Sequence, residues 1–258
     1  MRNSKQIVSF YESAAAAKVS APAGTLILSG VFSGAFIAFG AFGSQIVNTS
    51  VTDPGLARLL GAMVFPVGLA MVLCVGTELF TGNSLLFLPL LEKKISARGM
   101  LRNWGLVYLG NLIGSLLIAV LISFSGLSNL FGGALRDTMA NTAASKASLA
   151  FFPALIRGIL CNILVCLAVW MSFGAEEQAG KILGLFFPTM AFVLCGFEHS
   201  IANMYFIPAG MLVSSPETAV SLSGFLLNNL LPVTIGNMIG GALFVGAGLY
   251  GLYGRKDS

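Results

Sequence analysis

The sequence predicts an all-α polytopic membrane protein with six transmembrane helices, arranged as an inverted repeat of three plus three helices whose second and fifth members are broken. Three observations predict this fold. The chain of 258 residues is 56% hydrophobic and 9% charged, with a mean hydropathy of +0.89, whereas about a quarter of the residues in a soluble domain are charged. The hydrophobic residues form six long segments, and two of these segments are interrupted by a shared polar motif.

The N-terminal residues Asn3 to Lys18 are polar and helix-prone. We expect a short amphipathic helix that lies on a membrane surface, and a solvated N-terminal arm is the alternative. The segment lacks the short apolar core and the cleavage site of a secretory signal, so no cleavable signal is expected. The apolar residues available to contact the membrane are Ile7, Val8, Phe10 and Tyr11.

A transmembrane helix needs about 20 apolar residues, and all six segments reach that length. The second and fifth are too long for one span and polar in the middle, which predicts two half-helices joined by an irregular linker. Gly30 and Gly34 in the first span form a pair that predicts close helix packing. Residues 125–148 are rich in Gly, Ser and Asn and are expected to form an external connection. The spans are predicted at about residues 24–46, 59–91, 104–124, 153–173, 182–213 and 220–252.

The lysines and arginines predict which side of the membrane the termini occupy, because basic residues are enriched on the cytoplasmic side. Six crossings place both termini on the same side. That side holds ten basic residues, namely Arg2, Lys5, Lys18, Lys93, Lys94, Arg98, Arg102, Lys181, Arg255 and Lys256. The other side holds four, namely Arg58, Arg136, Lys146 and Arg157. We therefore expect cytoplasmic termini in a cytoplasmic (inner) membrane.

An internal repeat relates the two halves of the chain. The motif G-x-E-x-x-x-x-N occupies residues 76–83 and again residues 196–203. A second motif, N-x6-G-N-x-I-G, follows at residues 103–114 and 229–240. Three spans per half is an odd number, so the halves must have opposite orientations in the membrane. The repeats are predicted at about residues 24–125 and 150–252 of a single transmembrane domain, 1–258.

Corresponding broken helices predict a permeation site near the membrane midplane. A helix that ends inside the membrane leaves backbone groups without partners, and its N-terminal end carries a partial positive charge that attracts small anions. Four motif residues are expected to hold the breaks as a scaffold: Glu78, Asn83, Glu198 and Asn203. The two glutamates are expected to accept backbone N–H bonds, with direct substrate contact as the alternative, and the two asparagines are expected to be helix caps rather than ligands. The one histidine, His199, aligns with Leu79 and has no counterpart in the first half. We therefore place the function at His199.

The segments GTELFTGN at residues 76–83 and GFEHSIANM at residues 196–204 resemble the signatures of the formate/nitrite transporter family. Residues 161–172 and 229–237 are similar to the fourth and sixth spans of that family. The resemblance covers nearly the whole chain. It implies an aquaporin-like protomer with one pore, a homopentamer in the lipid bilayer, and a small anion such as formate, nitrite, hydrosulfide or lactate as the substrate.

The resemblance also implies roles for individual residues. His199 is the central pore histidine, with Thr81 beside it on the second-span loop and Asn162 near it on the fourth span. Lys146 matches the lysine of the outer vestibule. From the residues alone, His199 could instead be a packing residue, Thr81 a helix cap and Lys146 a solvated loop charge. Apolar constrictions on either side of the histidine, which are otherwise ordinary core or lipid-facing residues, are assigned to Phe65, Leu69, Leu79 and Phe192.

These roles lead to a hypothesis for transport. Lys146 and the half-helix dipoles attract a monovalent anion, which then meets apolar rings that a bare charge crosses only at high cost. His199 is expected to be neutral in an empty pore. It then either gains a proton and passes it to the anion of a weak acid, or remains a hydrogen-bond donor to an anion that crosses as such.

The substrate and the function class have alternatives. Formate is favoured because residues 197–204 and the sixth span are most similar to the formate branch, whereas residues 76–82 are similar to nitrite and hydrosulfide members. An aquaporin-like channel for neutral solutes is one other class. A membrane enzyme or sensor that uses Glu198 and His199 in acid-base chemistry is another, but no metal-ligand spacing, phosphate loop or G-x-S-x-G motif accompanies them, so no enzyme is expected.

Other partners are not expected. The formal charge of +4 gives no indication of nucleic-acid binding, because the basic residues are scattered and lie mostly at segment ends. The four cysteines lack a C-x-x-C pair, so buried free thiols are favoured over a zinc site or a disulfide. We therefore expect no metal and no cofactor. The cysteines are Cys74, Cys161, Cys166 and Cys195.

Overall fold

The computed structural model describes residues 1–254, so Arg255 and Lys256 of the charge count lie outside the described residues. Among residues 1–254 the secondary structure is helical and contains no β-strand, which confirms the all-α prediction. Short 3₁₀ segments lie at Gly82–Leu86, Leu127–Gly133 and Pro216–Thr218. The α-helices are α1 (Ser4–Ser20), α2 (Ala23–Ser50), α3 (Pro54–Val64), α4 (Pro66–Val75), α5 (Phe87–Leu91), α6 (Ala97–Phe124), α7 (Ala134–Ala147), α8 (Phe151–Gly174), α9 (Gln178–Leu194) and α10 (Ser200–Val213), followed by a last helix with α and π turns, Gly224–Tyr253.

Five helical segments in the described part of the chain are long and apolar enough to cross a membrane. They are Ala23–Ser50, Pro54–Val75, Ala97–Phe124, Phe151–Gly174 and Gly224–Tyr253. The predicted fifth span is divided into α9 and α10, of 17 and 14 residues, and neither meets that length alone. The chain is therefore a membrane protein by its helices, while the count of six crossings stays a prediction.

Both predicted breaks are present in the second and fifth spans. Gly76 follows the end of α4 with a φ of +79°, and Gly196 follows the end of α9 with a φ of +72°. Glycine adopts this left-handed conformation without the penalty of a Cβ, so it commonly ends helices. The chain becomes helical again at Gly82 in the first half and at Ser200 in the second. Each half therefore carries a short non-helical loop within its broken span.

Glycines bring the backbones of corresponding helix pairs into contact. A Cβ on Gly34 of α2 would lie 2.1 Å from the carbonyl oxygen of Asn111 in α6. In the second half, a Cβ on Gly236 of the last helix would lie 2.2 Å from the carbonyl oxygen of Leu155 in α8. Helices in lipid associate through such close packing, because lipid tails provide no hydrophobic drive between them. The close packing predicted at Gly34 is thus confirmed, while the opposite orientation of the halves stays a prediction.

Helix α1 forms as expected, but its apolar side packs into the protein. Ile7, Val8 and Tyr11 are buried, and the Tyr11 ring lies 5.6 Å from the ring of Phe173 at the end of α8. The expectation that these three residues contact the membrane surface is therefore wrong. Phe10 remains 40% exposed. The physical reason is that an apolar helix face binds a protein groove as readily as a lipid surface.

Residues 125–148 contain a helix, α7, that the sequence analysis did not predict. Leu135, Met139 and Ala143 are buried along one face at four-residue intervals, and this face packs on α10. The contact is close at Gly210, where a Cβ would lie 2.4 Å from the Cβ of Ala143. The connection therefore belongs to the packed body and positions residues at its C-terminal end.

The four cysteines are free thiols, as expected, but they are not all buried. Cys161 and Cys166 of α8 are buried, whereas Cys74 and Cys195 are exposed. Both exposed residues lie next to a helix break, on the outward side of the broken span. The expectation of burial is therefore wrong for Cys74 and Cys195, because an apolar segment does not show which of its faces packs inward.

Candidate functional site

The first break is held by a polar cluster around Glu78. Lys18 Nζ donates to Glu78 Oε1 at 2.7 Å, and Asn83 Nδ2 donates to Glu78 Oε2 at 2.6 Å. Asn83 Nδ2 also lies 2.9 Å from Asn103 Oδ1. Asn103 Nδ2 in turn donates to the carbonyl oxygen of Lys18 at 3.2 Å. The carboxylate is thus paired and hydrogen-bonded at the point where α4 stops.

The second break is held by the corresponding cluster around Glu198. Lys146 Nζ lies 2.9 and 3.1 Å from the two carboxylate oxygens of Glu198. Asn203 Nδ2 donates to Glu198 Oε2 at 2.7 Å and to Asn229 Oδ1 at 2.7 Å. Asn229 Nδ2 donates to the carbonyl oxygen of Lys146 at 3.0 Å. The four residues of the first cluster therefore have four counterparts in the second, although the contact of Lys18 with Asn83 Oδ1 has no equivalent there.

Lys18 is a site residue that the sequence analysis missed, since it entered only the charge count. The interval that separates Lys18 from Lys146 also separates Gly30 from Gly158. Gly30 and Gly158 occupy matching places, because each carbonyl oxygen accepts a hydrogen bond from an asparagine of the next repeat helix. Extending the internal repeat to the first span would therefore have paired the two lysines.

Two further asparagines fix the loops and were recognised only as repeat markers. Asn111 accepts from the backbone N–H of Phe80 at 3.0 Å and donates to the carbonyl oxygen of Glu78 at 3.1 Å. Asn237 accepts from the N–H of Ser200 at 2.9 Å and donates to the carbonyl oxygen of Glu198 at 3.0 Å. Backbone groups at a helix break need such partners in a membrane, where water does not supply them.

His199 and Thr81 bring the two breaks together. His199 Nε2 lies 3.0 Å from Thr81 Oγ1, although the residues are 118 positions apart in the chain. Both side chains are buried. The ring of Phe192 stacks on the imidazole with centroids 5.7 Å apart. The structure thus places His199 and Thr81 next to each other, as predicted.

The imidazole of His199 also caps α10, and this determines its tautomer. The backbone N–H of Ala202 donates to His199 Nδ1 at 3.1 Å. A nitrogen that accepts a hydrogen bond carries no proton, so the neutral ring has its proton on Nε2. His199 Nε2–H therefore donates to Thr81 Oγ1. The hydroxyl proton of Thr81 remains available for another acceptor.

Asn162 supports Thr81 from α8. Its Nδ2 donates to the carbonyl oxygen of Thr81 at 3.2 Å, to Ser84 Oγ at 3.1 Å and to the carbonyl oxygen of Asn237 at 2.6 Å. Its Oδ1 has no hydrogen-bond partner among residues 1–254. Asn162 therefore lies in the central polar region, where it fixes the loop that carries Thr81.

We expect Gly241→Ala to reduce transport about tenfold or more by displacing this asparagine. A Cβ at Gly241 would lie 2.4 Å from Asn162 Nδ2 and 2.5 Å from Ser84 Cβ, and such overpacking costs about 1–3 kcal/mol. Flux in liposomes measures the effect. Gly248→Ala in the same helix is the control, since nothing lies within 4 Å of its added Cβ. Equal flux for both variants would contradict the role of this contact.

Two cavities adjoin the two breaks: one is lined by residues of the second break, His199 included, and the other by residues of the first break. We name the larger one, about 210 Å³, the Lys146 vestibule; its lining includes Gln45, Phe65, Lys146, Phe192, Glu198 and His199. The smaller one, about 30 Å³, is the Lys18 vestibule; its lining includes Tyr11, Lys18, Leu69, Leu79, Asn83 and Phe173. Each vestibule therefore contains the lysine of one polar cluster.

The four predicted constriction residues are buried and divide between the two vestibules. Phe65 and Phe192 line the Lys146 vestibule with their rings 5.5 Å apart in an edge-to-face contact. Leu69 and Leu79 line the Lys18 vestibule. Each vestibule thus contains two of the four predicted constriction residues, while their role as constrictions stays a prediction.

Comparisons with known proteins identify the family of this chain. The family model described as Formate/nitrite transporter matches residues 5–251. The chain is 43% identical to the Uncharacterized transporter YrhG of Bacillus subtilis (strain 168) over 93% of this chain and 89% of that protein. It is 41% identical to the Probable formate transporter of Methanothermobacter thermautotrophicus over 88% of each chain. A solved structure titled Pentameric formate channel with formate bound shares 34% identity at a TM-score of 0.79, covering 90% of this chain and 98% of the other. The chain belongs to the formate/nitrite transporter family.

Proposed function

We propose that this protein is a channel for a small monovalent anion of a weak acid, with formate favoured and hydrosulfide and nitrite next. The observation that carries the proposal is the contact between His199 and Thr81, which joins the two breaks. Each break also lines a vestibule that contains a lysine. Formate is supported by the names of two similar proteins, a probable formate transporter and a pentameric formate channel with formate bound. The family is one of channels and transporters, so the enzyme alternative is set aside.

We also propose how the protein sits in the cell. The pentamer of the similar formate channel supports a homopentamer here, with one pore in each protomer. The distribution of basic residues supports an inner membrane location with cytoplasmic termini. In that orientation the Lys146 vestibule faces outward and the Lys18 vestibule faces the cytoplasm.

Each lysine keeps capacity for an anion although it is ion-paired. An ammonium group has three N–H donors, and the Lys146 ammonium makes two hydrogen bonds, both to the Glu198 carboxylate, besides lying over the Phe206 ring. Lys18 likewise makes two contacts, to Glu78 and Asn83. One N–H of each lysine is therefore left for an incoming anion. The glutamates and asparagines of the clusters act as scaffold in this proposal.

His199 acts as a neutral hydrogen-bond donor to the anion, together with the hydroxyl of Thr81. A proton relay would require an imidazolium with a proton on Nδ1. The backbone N–H of Ala202 donates to Nδ1 in this structure. A proton on Nδ1 would therefore point at that N–H, and neither of these two buried donors would have an acceptor. A buried donor without an acceptor costs about 1–3 kcal/mol. The geometry therefore favours passage of the anion itself over proton transfer by His199.

Stopped-flow light scattering of proteoliposomes tests the proposed function. Gradients of formate, hydrosulfide, nitrite and glycerol are imposed in turn, with protein-free liposomes as the control. We expect fast, saturable formate entry and no glycerol entry above the control. The reason is that the proposed pore offers an anion hydrogen-bond donors at its centre and is narrowed by apolar side chains. Rapid glycerol entry with formate excluded would instead support a neutral-solute channel. A protein that passes none of the four solutes would contradict the proposal.

A further inference from the structure

Gln45 of α2 is a buried polar residue of the Lys146 vestibule that the mechanism above does not use. Its side chain is 2% exposed, and it lines the vestibule. Its Oε1 accepts a hydrogen bond from the Tyr205 hydroxyl at 3.2 Å. Its Nε2 has no hydrogen-bond partner in the part of the chain that the structure describes. Native proteins pair the large majority of buried donors, so this amide requires an explanation.

Gln45 lines the same vestibule as Lys146 and the aromatic pair of Phe65 and Phe192. Helix α2 runs from the first break, where Ser33 Oγ donates to Thr77 Oγ1 at 2.8 Å, toward α7, where Thr49 Oγ1 donates to Thr138 Oγ1 at 2.9 Å. Between them, Gly40 packs on the backbone of Phe65, because a Cβ there would lie 2.6 Å from its carbonyl oxygen. Five residues of helix beyond Gly40 correspond to about 7.5 Å. The backbone at Gln45 therefore lies about 7.5 Å beyond the contact with Phe65, in the direction of α7.

The internal repeat places an amide at this position in one vestibule and not in the other. The interval that relates Lys18 to Lys146 and Gly30 to Gly158 relates Gln45 to Phe173. Phe173 lines the Lys18 vestibule, as Gln45 lines the Lys146 vestibule. An amide on one side is thus matched by an aromatic ring on the other. The two vestibules share the lysine cluster and differ at this position.

We propose that Gln45 is an anion-binding residue of the Lys146 vestibule and that Tyr205 is its positioning residue. The Tyr205 hydroxyl holds Oε1 and so leaves the N–H groups of Nε2 for a ligand. A small carboxylate is an acceptor without donors, so it satisfies this amide without introducing a new unpaired donor. Gln45 then receives the anion after Lys146 and before the contact between Phe65 and Phe192. This inference rests on the proposed transport of small anions.

The test measures the formate concentration that half-saturates flux from each side. In intact cells the Lys146 vestibule is exposed to the labelled formate outside. In inverted membrane vesicles the Lys18 vestibule is exposed to it instead. Gln45→Met keeps the length of the side chain and removes both amide donors. We expect its half-saturating concentration to rise about tenfold in cells, since a hydrogen bond to an ion is lost, and to change less than twofold in vesicles. Asn48→Leu is the matched control, because Asn48 lines the same vestibule but is exposed and lies 3.5 Å from Ser44 Oγ.

Tyr205→Phe provides the second variant, because Gln45 is the partner of its hydroxyl. We expect a shift in the same direction as for Gln45→Met, and no further shift when Tyr205→Phe is added to Gln45→Met, since the hydroxyl acts through the amide. If Gln45→Met does not assemble, the half-saturating formate concentration of Tyr205→Phe in cells tests the inference by itself.

An unchanged half-saturating concentration in cells would overturn the inference, as would equal shifts on both sides. If the unaltered protein shows no saturable formate flux, the proposed function fails. If it transports formate but the variants behave like it, only the role of Gln45 fails.

Discussion

Replacing His199 by Phe is expected to reduce formate flux in liposomes about 10- to 100-fold. Phenylalanine keeps an aromatic ring for the stack on Phe192 but loses the donor to Thr81 and the acceptor for Ala202. A hydrogen bond to an ion contributes about 1.5–3 kcal/mol, which corresponds to that range of rate. The lost cap of α10 adds about 1 kcal/mol of destabilisation. Flux is measured at equal protein incorporation.

His199→Asn separates the two roles proposed for the histidine. Asparagine is a good helix cap and carries an amide N–H, but it does not take up a proton in the accessible pH range. A neutral donor role predicts that the asparagine variant keeps clearly more flux than the phenylalanine variant. Equal loss in both variants would support a proton relay and contradict the neutral donor.

Glu198→Ala is expected to lower stability by about 3 kcal/mol, because the ammonium of Lys146 loses its carboxylate and the amides of Asn203 and Asn229 each lose one of two acceptors. Breaking a buried ion pair costs about 3–5 kcal/mol, and the lower end applies because the Lys146 side chain is 18% exposed. We expect the thermal unfolding midpoint to fall by about 6 to 12 °C. Flux falls with it, since Glu198 positions the break next to His199.

Two further variants check this explanation. Adding Lys146→Met to Glu198→Ala removes the unpaired positive charge, so the thermal unfolding midpoint should rise again by part of the difference. Glu176→Ala is the control, because the Glu176 side chain is 60% exposed and its ion pair with the N-terminus is 3.9 Å long, and exposed pairs contribute about 0–1 kcal/mol. If the double variant unfolds at the same midpoint as Glu198→Ala, loss of the ion pair is not the cause of the destabilisation.

The fold could be predicted where hydrophobic length and glycine chemistry determine the backbone. The crossing helices follow from the length of their apolar segments, and the breaks follow from Gly76 and Gly196. The burial of Tyr11 and the formation of α7 could not be predicted, because both depend on the face that a distant helix presents. A sequence shows that a helix has an apolar side, but not whether protein or lipid covers it.

The site could be predicted where corresponding positions of the two halves carry different residues. His199 stood out because it aligns with Leu79, and the structure brings it to Thr81. Lys18 was missed because the repeat was traced through the broken spans and not through the first helix. Gln45 was missed because an isolated polar residue in an apolar span has no pattern. Its unpaired amide becomes visible only when its neighbours are known.

The charge carried by each transported formate tests the central proposal most directly. Purified protein in a planar bilayer is held between formate solutions that differ tenfold in concentration, and the reversal potential is measured at equal pH on both sides. If His199 is a neutral donor to an anion that crosses as such, the reversal potential follows the formate gradient by about 59 mV per tenfold. Formate flux without current, and without any shift of the reversal potential, would mean that the neutral acid crosses and would contradict this mechanism.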